Sequence, residues 1–281
     1  MPEPAPPVAV DRRHTRRAGG LLTWLAPIVV GLVSLALWQG AVWYYDLPHY
    51  VLPGPKRIAD VFADETARQI LLDAWKVTLK TAGLAIVAAA TGGVALALLL
   101  TSSRIAELSL FPYAVVLQVT PLVAVAPLIV MWVGMERTEL IWLVCAWIVA
   151  FFPVLSNTVV GLRSVDGGLR DLFDLYRATR WQRWRLLLAP SALPYFLAGL
   201  KISANLALVG AVVAEFVTGA AVERPGLASV ILESQYRLDV PRMFAALVLI
   251  SCTGIALFYG THWLGHLFLR RWHASHLSDS R

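Results

Sequence analysis

The chain has 281 residues, of which 58% are hydrophobic and only 15% charged, with a mean hydropathy of +0.66. That composition excludes an ordinary soluble domain and defines an integral membrane protein. The formal net charge of +6 and pI near 9.6 do not mark a nucleic-acid binder, because the arginines border apolar runs instead of forming one soluble basic domain; anionic headgroups account for them.

In chain order, residues 1–20 read as a short disordered arm of Pro, Glu and Ala that includes Arg12, Arg13, Arg16 and Arg17. The apolar run from Leu21 to Tyr44 is too long for a signal-peptide core and lacks a convincing cleavage site, so it reads as a retained helix. In DLPHYVLPGPKRIADVFADETARQILLDAWK, Pro48, Pro53, Gly54 and Pro55 forbid a continuous helix. Ile58, Phe62, Ile70, Leu71 and Trp75 then predict amphipathic helices lying at the outer interface. Further spans are predicted at Val77–Leu100, Leu108–Val133, Leu140–Leu162, Leu200–Thr218 and Met243–Leu269. Pro121 and Pro127 distort the third. The expectation is an all-α integral membrane protein of about six transmembrane helices, one membrane domain over residues 21–271, a loop at about 163–190 between the fourth and fifth spans, and a short tail at 272–281.

Lysine and arginine favour the cytoplasmic side, and six spans put both termini together. Placing the termini inside gathers the N-terminal arginines, Arg104, Arg163, Arg170, Arg177, Arg180, Arg183, Arg185, Arg270, Arg271 and Arg281 there. Outside lie Lys56, Arg57, Arg68, Lys76, Lys80, Arg137, Arg224, Arg237 and Arg242, with Lys201 at a boundary. Both termini and the 163–190 loop are therefore expected to be cytoplasmic.

Polar groups within the spans are the candidates for a path through the membrane. Glu215, toward the outer end of the fifth span, is the most costly, since a carboxylate in a bilayer needs a partner or water. It either lines a path or closes an outer gate, or it is a structural carboxylate held by an arginine or backbone group. Asn205 in the same span and Gln118 and Thr120 in the third are pore or helix-packing groups. Gly210, Ala211 and Ala214 give the fifth span a narrow face for close helix approach. Cys145 and Cys252 fall inside spans and suggest neither a disulfide framework nor a thiol metal site. His262 and His266 lack further ligands, so no metal is expected. The chain contains no G-x-x-x-x-G-K-[ST], G-x-S-x-G or H-E-x-x-H motif.

The densest cluster of arginines and tryptophans is DLFDLYRATRWQRWRLLLAPSALP, Asp171 to Pro194. It reads as two short helices: Leu172, Phe173 and Tyr176 share one face, and Trp181, Trp184 and Leu188 another, with Pro190 and Pro194 ending the segment. Composition alone allows these residues simply to anchor the protein to headgroups. The spacing, however, resembles the EAA signature of permease subunits of binding-protein-dependent ABC importers. Counting back from Pro190, Asp171 stands at the signature's Glu, Leu172 and Phe173 at its alanines, Arg177 at its Gly and Leu187 at its Ile. RWQRW, LLLAPSALPYFLAGLKI and the LPGP at Leu52–Pro55 are similar to the taurine, sulfonate and nitrate branch, and the likeness runs from Val51 to about Arg271.

The resemblance implies that Asp171, Leu172, Phe173, Tyr176, Arg177, Arg180, Trp181, Trp184 and Arg185 belong to coupling helices that dock on a separate ABC ATPase. The chain would bind no cofactor itself, with ATP and Mg held by that partner. It also implies a periplasmic or lipid-anchored solute-binding protein, a second permease copy, most simply in a homodimer, and a bacterial cytoplasmic membrane. Arg177 departs from the signature's Gly, which permits a positive φ that Arg adopts at a cost, and Ala189 replaces its Leu; the turn is expected to differ accordingly. FDLYRATRWQ, AEFVTG and ESQYRLDVPRMFAAL resemble relatives that import thiamine pyrimidine precursors and riboflavin-like heteroaromatics, with sulfonate, taurine or nitrate next. Two other classes stay open: an ion-driven secondary transporter using Glu215 as proton carrier, and an intramembrane enzyme with a site assembled from distant helices.

Overall fold

The computed structural model describes residues 19–219 and 222–269; the N-terminal arm through Arg17 and residues 270–281, with Arg270 and Arg271, lie outside the described residues. Helix α1 (Gly19–Tyr44) is apolar on all sides and buries none of its described side chains, as a helix bathed in lipid does. Helix α2 (Pro55–Ala63) starts with Pro55 in its first turn, where the missing N–H costs nothing. Asp64 caps α3 (Glu65–Ser102) by accepting from the amides of Thr66 and Ala67.

At 38 residues, α3 is roughly 57 Å long, far more than a bilayer core of about 30 Å requires. Its first turns and α2 pack against protein. Ile58 and Leu71 are buried against Leu227, Val230, Ile231, Ala245 and Ala246, and the indole of Trp75 donates to Thr253 Oγ1 at 2.8 Å. The apolar face that the sequence aims at lipid is thus satisfied by protein; Ile70 alone of that set stays exposed.

The third predicted span is two helices, α4 (Arg104–Val119) and α5 (Leu122–Val133), bent by 103°. Pro121 explains the break: it offers no N–H and drives Thr120 to an extended ψ of 124°. Pro127 stays inside α5 without ending it. Helix α6 (Thr138–Arg163) follows a single 3-10 turn, and then come α7 (Gly167–Leu175) and α8 (Arg180–Arg183).

The segment does not end at Pro190 and Pro194 as the sequence suggests. A π-helical turn over Trp184–Leu188 carries α8 straight into α9 (Ala189–Thr218), so one helical path runs from Arg180 to Thr218. The wide turn, closed by the Ala189 amide on Trp184 O, spares the residues before Pro190 the bonds a proline cannot make. Helix α10 (Leu227–Tyr236) and α11 (Val240–Leu269) complete the chain. By length and apolarity α1, α3, α6, α9 and α11 are five candidate spans, and the bent α4–α5 pair makes a sixth when counted as one.

The centre is a sandwich in which α3 and α6 run parallel and α9 antiparallel to both, built on small residues: Ala85, Ala89, Ala146, Ala150, Ala207 and Ala211 form one buried cluster. The narrow face expected at Gly210, Ala211 and Ala214 is present, all three being buried. A Cβ on Gly210 would lie 2.7 Å from Ala146 Cα, and one on Gly199 would lie 2.6 Å from Pro153 O. Only hydrogen fits there, so α9 approaches α6 at backbone distance. Ion pairs close the two ends. Lys80 meets Glu139 at 2.8 Å at one, and Glu107 takes Arg104 and Arg163 at 2.8 Å each at the end nearer α7 and α8.

Candidate coupling surface and buried carboxylate

The loop after α6 is organised by backbone rules that its sequence satisfies. Asp166 opens α7, its carboxylate accepting from Gly168 N at 2.8 Å and Leu169 N at 3.3 Å. At the other end Ala178 N donates to Phe173 O (2.9 Å) and Arg177 N to Asp174 O (3.0 Å). This pair of bonds is a Schellman stop, and it requires a left-handed residue at position 177. Arg177 supplies it with a φ of +50°. The turn therefore keeps the conformation that glycine favours, and Arg177 bears the strain.

Thr179 then caps α8 reciprocally. Its hydroxyl accepts from Gln182 N at 3.3 Å, while Gln182 Oε1 accepts from Thr179 N at 2.8 Å. An ion pair between Arg183 and Asp174 ties α8 back to α7. Neither Thr179, Gln182, Asp174 nor Arg183 is among the residues picked from the sequence. The T-x-x-Q spacing of a capping box was there to be read; the Asp174–Arg183 pair, nine residues apart, needs the turn geometry.

On this frame the apolar side chains stand outward. Leu172, Leu175, Tyr176, Trp181 and Trp184 are exposed, Tyr176 by 78% and Trp181 by 64%. The indoles of Trp181 and Trp184 stack at 5.3 Å with 19° between planes. Leu172, Phe173 and Tyr176 line a cavity of about 250 Å³ with Ala178, Gln182 and Leu186. Asp171, Arg177, Arg180 and Arg185 are also exposed, which makes the surface a ridge of aromatic and arginine groups. Such a concentration of exposed apolar area at the end of a bundle makes this ridge the candidate docking face.

The candidates inside the spans do not converge. Glu215 is fully buried and bonded on both oxygens: Thr78 Oγ1 donates to Oε1 and Ala228 N to Oε2, each at 2.8 Å. Thr78 Oγ1 in turn accepts from Leu227 N at 2.9 Å. One carboxylate and one hydroxyl thus take up first-turn amides of α10 and join it to α3 and α9, a use of the positive end of a helix. Gly226 makes room, since a Cβ there would fall 2.3 Å from Glu215 Cδ. Thr78 carries no conspicuous sequence signal. Asn205 lies elsewhere on α9, half-buried, beside α11. Gln118 and Thr120 are exposed at the α4–α5 bend, where the Thr120 hydroxyl donates to Val116 O at 2.7 Å.

The fold is a multi-pass helical bundle with an exposed aromatic ridge at one end and the buried Glu215 cluster toward the other, the architecture of a membrane-embedded subunit. The chain belongs to the family described as the binding-protein-dependent transport system inner membrane component, which it matches over residues 89–273, and it is an ABC importer permease subunit. It is 35% identical over 252 residues to the riboflavin transport system permease protein RibX of Chloroflexus aurantiacus, covering 87% of this chain and 88% of that protein. The formylaminopyrimidine transport permease protein ThiX of Halalkalibacterium halodurans is 30% identical over 247 residues, with coverage of 87% and 95%. Among solved structures, an inward-facing methionine ABC transporter, MetNI, superposes with a TM-score of 0.59 at 18% identity, over 75% of this chain and 99% of that one; the likeness is one of fold.

Proposed function

We propose that this permease forms the translocation path for a small nitrogen heteroaromatic, a thiamine pyrimidine precursor or a riboflavin-like ring, delivered by a separate binding protein and driven by a separate ATPase. The observation that carries the reading is the α7–α8 ridge: a braced element whose exposed side chains are Leu172, Tyr176, Trp181 and Trp184. ATP binding draws two ATPase subunits together, and with them the ridges of two permease copies docked on them; the bundle answers by exchanging inward-open and outward-open states. The long helix from Arg180 to Thr218 gives that push a direct line into the membrane. In this reading the ridge and both termini are cytoplasmic, the membrane is the bacterial inner one, and two copies of this chain pair because two ATPases need two ridges.

The cargo class is supported by the named relatives, whose cargoes, riboflavin and a formylaminopyrimidine, share a flat nitrogen ring. Glu215 serves as a latch at the far end, since both its oxygens are engaged by Thr78 and α10. In liposomes holding the permease, its ATPase and its binding protein, labelled riboflavin or formylaminopyrimidine should enter only with ATP. Uptake driven by an ion gradient without ATP would contradict the reading and return Glu215 to the role of proton carrier.

A further inference from the structure

Lys201 sits far from either end of the bundle. Gly199 touches Pro153 O on α6, so Lys201 is about level with Pro153, about ten residues or roughly 15 Å along α6 from Arg163. That is farther than a lysine stem reaches toward an interface. Among the described residues no carboxylate pairs with it. Its ammonium instead lies 4.1 Å from the centre of the Phe258 ring. A cation at this depth without an anion is costly against lipid and is tolerated where it faces a watery cavity.

An open, shallow groove of about 450 Å³ lies beside it, lined by Asn205, one turn from Lys201 on α9, and by Ser251, Gly254, Ile255, Phe258 and Tyr259 of α11. Two aromatic faces, an amide, a hydroxyl and a neighbouring ammonium are the set that recognises a flat ring with hydrogen-bonding edges: the rings stack, the amide reads paired donor and acceptor atoms, and the ammonium donates to a ring carbonyl or an anionic group. We infer that the Asn205–Ser251–Phe258–Tyr259 groove between α9 and α11, with the Lys201 ammonium beside Phe258, is a cargo subsite within the membrane, selective for small heteroaromatic solutes. The inference rests on the transport function and cargo class proposed above and names the residues that carry them. Phe258 holds the ammonium when the groove is empty, and the incoming ring takes its place.

Two measurements on the complete transporter test it. In a Cys145→Ser, Cys252→Ser background, Ser251→Cys should react with a membrane-impermeant methanethiosulfonate, and riboflavin with its binding protein should slow the reaction. Lys201→Met should lower riboflavin or formylaminopyrimidine uptake by about tenfold or more, a barrier change of about 1.4 kcal/mol, whereas Lys201→Arg should retain most of it; recovery of ATPase on the purified permease checks folding. An inert Ser251→Cys, or wild-type uptake by Lys201→Met, overturns the groove and leaves the transport function standing. Uptake of taurine in place of both heteroaromatics by the unmodified transporter overturns the ring-stacking assignment and the cargo class together.

Discussion

At the scale of single residues, three positions decide whether the local structure holds. Glu215→Ala would leave Thr78 Oγ1 and the Ala228 amide without their buried acceptor, at about 1–3 kcal/mol for each unsatisfied group. Thermal unfolding in detergent should show a clearly lower midpoint for Glu215→Ala and a smaller drop for Glu215→Gln, which keeps one acceptor; equal midpoints for wild type and Ala would remove the latch. Gly226→Ala should behave like Glu215→Ala, because its Cβ has no space beside the carboxylate. Arg177→Gly should act in the opposite sense, relieving left-handed strain at φ +50° by about 1 kcal/mol. Slower proteolysis of the α7–α8 loop in that variant is the expected sign. Glu215 was conspicuous in the sequence as a carboxylate in an apolar run. Its partners were not, because Thr78 lies 137 residues away and threonine in an apolar helix is unremarkable.

Elements were legible where periodicity and punctuation agreed. The spans at α1, α6 and α11 follow from apolar length, and Pro55 and Asp64 mark helix starts that the structure uses. Of two proline readings one held and one did not, because a proline's effect depends on the turn around it. Pro121 separates α4 from α5, whereas Pro190 and Pro194 are absorbed after a π turn. The amphipathic residues of α2 and the first turns of α3 were assigned to a membrane surface because a sequence does not show that α10 and α11 offer them a protein one. The π turn also sets how the ridge is aimed. Inserting one alanine after Leu188 should rotate Trp181 and Trp184 by about 100° relative to α9, since the wide turn has already taken up one extra residue. The variant should insert normally yet lose ATPase association, read by pull-down from membranes. Retained association would mean the orientation of the indoles is not what the partner senses.

At the scale of the whole molecule, a helix continuous from Arg180 to Thr218 joins the exposed ridge at one end to the Glu215 latch at the other. The close α6–α9 contact at Gly199 and Gly210 makes that helix and its neighbour move as one body, since surfaces interlocked at backbone distance do not slide freely. In the proposed transport cycle the sandwich is displaced against α1 and α11, which bury less of their surface. Bundle architecture was readable from composition and span lengths; the joint between ridge and latch was not, because it depends on helix continuity across two prolines. The most direct test is to express the chain with its ATPase, purify by a tag on the permease, and compare it with a variant in which Asp171–Arg185 is replaced by a polar linker. The account predicts that ATPase co-purifies with the intact chain and is lost from the variant while membrane insertion is unchanged. Equal recovery of ATPase from both would contradict it.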